Sequence, residues 1–315
     1  MPPLSYGDVK TAAERIAGQV RPVTLARGDD SHPYTLWLAL EFMQHTGSFK
    51  ARGAANFLLA HRERGALPEA GVTLASGGNA GLACAWAAWE QGVTATVFLP
   101  ETAPEVKVAR LRSYGADVRL VGTEYAEAAA ACEEFAASSG ALASHAYDDT
   151  LIAAGAGTLV EEVRAQVPDL DTLVVSVGGG GLFAGVAAAA QHHGIRVVAV
   201  EPQRCRALNA AIEAGRVVDV PVDSVAADSL GARRATPMAL AAAGHRNMRS
   251  VLVPDPAIAE ARETLWTERR LAVEHAAATA YAGITAHPAP YTPSRGEVVA
   301  AVLCGANTDV SELPA

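Results

Sequence analysis

Hydrophobic and polar positions follow two alternating periods along this chain. Residues 8 to 18 put Val9, Ala12, Ala13, Ile16 and Ala17 on one face, which predicts an amphipathic helix. Tyr34 to Glu41 alternates as a strand does and runs into a turn-prone segment. Ala51 to Arg64 is a predicted helix ending near Gly65. From there the two patterns take turns. Strands are predicted at 72–75, 93–99 and 116–121, and helices at 79–91, 104–114 and 124–138. The second half keeps the rhythm, with helices at 158–166, 182–193 and 206–214 and strands at 172–177 and 195–200. Pro254-Asp255-Pro256 opens a helix to about Arg270, because proline in a first turn gives up an N–H that has no partner there. A helix from His275 to Ala282, proline-punctuated turns at 285–294 and a strand from Glu297 to Cys304 complete the pattern. Short apolar strands alternating with helices predict an α/β fold of parallel sheets covered on both faces.

Composition narrows this picture. A chain of 315 residues can bury a large core and exceeds one simple domain, so two lobes are expected. Lys and Arg number 25 against 34 Asp and Glu, a net charge of −9 that withholds the basic footprint nucleic-acid binding needs. The longest apolar runs fall short of a membrane span. Met1 to Val20 carries Asp8, Lys10, Glu14 and Arg15 in place of an apolar leader, so no signal peptide is expected. Cys84, Cys132, Cys205 and Cys304 are far apart with no CxxC, and the histidines show no metal-type spacing. A reduced, cytoplasmic protein without a zinc cluster or redox pair is expected.

Four stretches carry candidate chemistry. Lys50 lies in Thr46-Gly47-Ser48-Phe49-Lys50-Ala51-Arg52-Gly53-Ala54, where a turn meets a helix. It is either a solvated cation or, with burial beside Phe49 lowering its pKa, an amine able to form a Schiff base with a carbonyl. Gly178-Gly179-Gly180-Gly181 joins a strand to a helix. It is either a tight turn or a row of N–H groups for a phosphate, glycine permitting close approach. It lacks the G-x-x-x-x-G-K-[ST] pattern, so ATP hydrolysis of the P-loop kind is unsupported. Ser76-Gly77-Gly78-Asn79-Ala80-Gly81 also follows a strand, as a helix cap or as a cradle for a substrate carboxylate. Leu303-Cys304-Gly305-Ala306-Asn307 ends the last strand, where open α/β sheets bind ligands, although Cys304 alone reads equally as a buried structural thiol. Together, a Schiff-base lysine, a phosphate loop and a carboxylate loop describe a pyridoxal phosphate site.

On these motifs the chain resembles the fold-type II pyridoxal-phosphate enzymes, the tryptophan synthase β-like family, and within it the serine/threonine dehydratases. The resemblance runs from Glu14 to Asp309. It also rests on Pro100 to Pro104 with Lys107, on Tyr114-Gly115-Ala116 and on Glu201-Pro202. It implies two open, twisted, mostly parallel sheets flanked by helices, with the cofactor between two lobes. Residues 1–55 and 144–315 would form the large cofactor-binding domain, and 56–143 a small mobile substrate-binding domain. By the same resemblance Lys50 holds the cofactor aldehyde and Phe49 packs on the ring. Asn79 bonds the ring hydroxyl, Gly178, Gly179, Gly180 and Gly181 bind the phosphate, and Cys304 meets the pyridine nitrogen where many relatives have serine. Ser76, Gly77, Asn79 and Ala80 hold the substrate carboxylate. The implied protein is a homodimer that dehydrates L-serine or L-threonine to pyruvate or 2-oxobutyrate plus ammonia, with Lys50 removing the Cα proton.

The chain departs from the family pattern at several positions. Gly77 stands where racemases of the family carry a serine that protonates the opposite face of Cα, so racemisation is expected to be poor. Glu201-Pro202 keeps the glutamate of a cation site, but the aspartate position is Ala207. One carboxylate with backbone carbonyls suits K⁺ better than Mg²⁺. Ala156 replaces a common glutamine and His275 the proline after Glu274, which admits elimination or replacement on another β-substituted amino acid. The few residues after the Cys304 motif leave no room for the regulatory domain of biosynthetic threonine deaminases, so isoleucine feedback is not expected. A nicotinamide dehydrogenase lacks its G-x-G-x-x-G and ribose-binding acid here. A non-catalytic binding protein would have no use for Lys50.

Overall fold

The computed structural model describes residues 4–28 and 32–313. Its strands are β1 (Leu25–Arg27), β2 (Thr35–Ala39), β3 (Val72–Ala75), β4 (Ala95–Leu99), β5 (Asp117–Leu120), β6 (Leu142–Ala143), β7 (Thr172–Ser176), β8 (Arg196–Pro202), β9 (Met248–Val253) and β10 (Val298–Val302). They form a six-stranded sheet in the order β1-β2-β10-β7-β8-β9 and a four-stranded sheet in the order β5-β4-β3-β6. Only the β1–β2 pair is antiparallel. β4, β7 and β10 are buried along their whole length. A strand covered on both faces has no polar side, which is why these segments read as near-continuous apolar runs. In sequence the whole small sheet lies between β2 and β10, yet they pair in register, Thr35 beside Val298 and Ala39 beside Val302. Among the described residues no helix is long and apolar enough to cross a membrane.

The α/β alternation expected from the pattern is present, with boundaries shifted by up to three residues, the largest shift being the end of the His275–Thr285 helix. The structure adds β1, β6, β9 and the helices Thr150–Gly157, Ala227–Leu230 and Pro237–Ala243, which the pattern did not predict. Thr150–Gly157 ends in Ala-Gly-Ala-Gly, a poor helix former. Packing explains it. A Cβ on Gly155 would lie 2.6 Å from the Arg52 carbonyl oxygen, and one on Gly157 2.4 Å from that of Gly185. The helices Lys50–Glu63 and Gly181–His192 therefore press backbone to backbone on opposite sides of this short helix. It acts as a common spacer between the lysine's helix and the helix that follows the glycine run.

Arg52 anchors the same lysine helix from the other direction. It is fully buried and donates to both carboxylate oxygens of Glu41, at 2.8 and 2.7 Å, and to both of Glu162, at 2.6 and 2.8 Å. Removing one partner of such a cluster leaves an uncompensated buried charge, so the helix start is held tightly.

Candidate active site

The C-terminal ends of β3, β7 and β10 open on one cavity of about 730 Å³. Open α/β sheets bind ligands at this end of their strands. Lys50, Phe49, the Ser76–Ala80 loop, Gly178–Gly181, Glu274 and Cys304 all line it. The four separate sequence motifs thus converge on one space.

Lys50 is the first residue of its helix. Its place is set by the end of β10: the Phe49 amide donates to the Cys304 carbonyl at 2.9 Å, and Ser48 bridges to Gly305. The ammonium donates to the Ala146 carbonyl at 2.6 Å and lies 5.0 Å from the Phe49 ring centroid. Burial lowers its pKa from 10.5 to about 8, with Cys304 and Glu274 pulling the other way. The result is an amine that sheds its proton around pH 8, well below an ordinary lysine.

The glycine run opens the Gly181–His192 helix, with Gly180 at φ +100°, a conformation that favours glycine. A Cβ on Gly179 would lie 2.2 Å from the Tyr147 ring, and one on Gly181 2.6 Å from the Tyr147 carbonyl oxygen. Among the described residues the amides of Gly178, Gly179 and Gly180 donate to no protein acceptor. Donors at a helix start with no side chains in the way form a cradle for a phosphate. A phosphate cradle, a depressed lysine and a buried neutral thiol in one cavity fit pyridoxal phosphate.

Cys304 is buried, with its Sγ 3.5 Å from the Ser176 hydroxyl. Burial pushes its pKa up to about 12, which keeps the thiol neutral. Asn79 lines the cavity, but its side-chain polar atoms are engaged within the protein. Its amide donates to both oxygens of Glu274 at 2.9 and 3.0 Å, and its carbonyl accepts from Asn307 at 2.6 Å. Glu274 also accepts the Asn307 backbone N–H at 2.8 Å, and burial raises its pKa. Asn307 closes the Leu303–Asn307 stretch marked in the sequence, whereas local pattern gave no role to Glu274 and did not mark Tyr147. Their neighbours lie far away in sequence, and contact alone reveals them. Ser76 sits at the mouth of its loop, where the Gly78 amide donates to its hydroxyl at 3.4 Å. Gly77 and Ala80 line the same wall.

Glu201, expected to offer a carboxylate to a monovalent cation, does something else in this structure. It is fully buried, and its two oxygens accept the backbone N–H groups of Leu208 and Asn209 at 2.7 and 2.8 Å. It caps the Ala207–Ala214 helix. Among the described residues no group of three or more His, Cys, Asp or Glu is placed to hold a metal ion.

Residues 16–305 match the family model described as pyridoxal-phosphate dependent enzyme. The chain is 35% identical to an L-threonine ammonia-lyase of Geobacter sulfurreducens, covering 98% of this chain and 77% of that protein. It is also 35% identical to a human serine dehydratase-like protein, covering 89% and 88%. Among solved structures, a pyridoxal 5'-phosphate-dependent aspartate racemase superposes with a TM-score of 0.88 at 29% identity, over 100% of this chain and 99% of that one. The relatives and the cradle agree: the chain belongs to the family of pyridoxal-phosphate-dependent enzymes and has their fold type II architecture.

Proposed function

We propose that this enzyme eliminates water from L-serine or L-threonine and releases a 2-oxo acid and ammonia. The observation that carries the reading is Lys50, whose amine is held at the Ala146 carbonyl with its pKa lowered to about 8, in one cavity with both anion loops. The names of the Geobacter and human relatives support the same reaction class.

Bound pyridoxal phosphate supplies an electron sink for the substrate Cα. Lys50 would hold its aldehyde carbon, Phe49 its ring face and Gly178–Gly181 its phosphate. The neutral Cys304 thiol carries no charge with which to keep a proton on the ring nitrogen, which favours prompt loss of a β-substituent over long-lived carbanions. Ser76 and the amides at the start of the Asn79–Glu90 helix receive the substrate carboxylate. The freed Lys50 Nζ, unprotonated, takes the Cα proton. The Cβ–O bond breaks and the hydroxyl leaves, with a proton, as water. The unsaturated amino acid then takes up water and yields the 2-oxo acid and ammonia.

Racemisation needs an acid on the opposite face of Cα, and Gly77 offers none. A Cβ there would lie 2.5 Å from the tip of the Leu99 side chain, which would have to turn aside to admit a serine. We also propose that residues 56–143 close over the substrate as a unit against residues 1–55 and 144–315. In support, Lys107, Arg110 and Tyr114 share one helical face and reach Asp228 at 2.9 Å, Asn307 at 2.6 Å and the His45 carbonyl at 3.1 Å.

The test is 2-oxo acid release by the cofactor-loaded enzyme across a panel of β-substituted amino acids. Turnover of L-serine or L-threonine without formation of the D-enantiomer is expected. Inversion without 2-oxo acid, or turnover of neither amino acid, would contradict the proposal.

A further inference from the structure

β7, β8 and β9 begin, and β10 begins, around a concavity of about 470 Å³, opposite to the end that opens on Lys50. Its charged lining is Asp171, Glu297, Arg196, Arg246 and Arg295. Glu297 is consumed internally, whereas Asp171 is exposed and keeps one carboxylate oxygen without a protein partner among the described residues. Asp171 accepts the Val298 amide at 2.9 Å. Glu297 is buried and accepts from the Thr172 hydroxyl at 2.6 Å, the Tyr291 hydroxyl at 2.5 Å, Arg196 at 3.0 Å and the Ser294 amide at 2.8 Å. Arg196 is thereby fixed, while its side chain stays 46% exposed. Arg246 and Arg295 are exposed, and among the described residues neither side chain makes a hydrogen bond or ion pair.

Three guanidinium groups against two carboxylates leave this concavity one formal positive charge in a chain of net charge −9. Guanidinium groups grip phosphate oxygens through paired N–H donors. The volume lies within the ~300–1,000 Å³ of small-molecule sites. We propose that this concavity binds a small anion bearing more than one phosphate, with Arg246 and Arg295 supplying the grip and Glu297 orienting Arg196. The site is separate from the catalytic cavity, and its existence does not depend on the reaction proposed above. A ligand there rests on the first residues of β7 and β10, whose far ends carry the glycine run and Cys304.

Titration calorimetry of the cofactor-loaded enzyme with inorganic pyrophosphate, at constant ionic strength, tests this. The cofactor's own phosphate cradle is filled under those conditions. Saturable one-site binding is expected for the wild type, weakened about tenfold or more in Arg246→Ser/Arg295→Ser. Both side chains are exposed, and an unchanged cofactor absorbance shows that the double variant is folded. No saturable binding to the wild type, or affinities within about tenfold of each other, would overturn the proposal.

Discussion

A lysine amine attacks a carbonyl only when unprotonated, so the pKa of Lys50, lowered to about 8 by burial, sets a pH window. Uptake of pyridoxal phosphate by the cofactor-free enzyme should speed up about tenfold per pH unit below about 8 and level off above it. Stopped-flow absorbance measures this; a flat profile from pH 6, or a rise continuing to pH 10, would contradict it. The same shift bears on stability. Between about pH 8 and 10.5 the unfolded chain holds a proton at this lysine that the folded chain has released, so folding gains stability as pH rises through that interval. Below about pH 8 both states are protonated and the burial penalty is fully present. At this scale the sequence motif around Lys50 was legible because a turn-to-helix junction is a local signal. The partners that tune it were not. Ala146 and Glu274 reach Lys50 only through the folded chain, and Tyr147 meets the glycine run only across the cavity.

At the scale of elements, Glu105–Ser113 is the helix that ties the small sheet to the large one. Lys107 and Arg110 reach across to Asp228 and Asn307, and Asn307 bonds in turn to Asn79. Lys107→Ala with Arg110→Ala should raise KM for the amino acid about threefold or more while changing kcat less, since an exposed ion pair to Asp228 and a hydrogen bond to Asn307 are individually weak and would act through the proposed closure. Steady-state kinetics decide it, and an unchanged KM would contradict a part for these contacts in closure. The elements that escaped the sequence pattern did so for separate physical reasons. Leu25–Arg27 and Leu142–Ala143 are too short to show a period. Thr150–Gly157 is helical because only glycine lets it touch two other backbones, so its low propensity is overridden by packing. In Met248–Val253 the polar Arg249 and Ser250 interrupt an apolar run at the sheet edge.

At the scale of the molecule, the cofactor site exists because one set of parallel strands ends there. β7 delivers the glycine run, β10 delivers Cys304 and the backbone that seats Phe49, and β3 delivers the Ser76–Gly81 loop from the other sheet. The α/β rhythm made the fold class legible in the sequence, and the motifs made the cofactor legible. The sheet order was not, because β2 and β10 pair across nearly the whole chain. The central claim is that Lys50 carries the cofactor, and the chain makes a clean test possible because it has only two other lysines, Lys10 and Lys107. Borohydride reduction of the loaded enzyme followed by peptide mass spectrometry should find the pyridoxyl group on the peptide containing Lys50 and on neither of the others. A label on Lys10 or Lys107, or on no lysine at all, would contradict it.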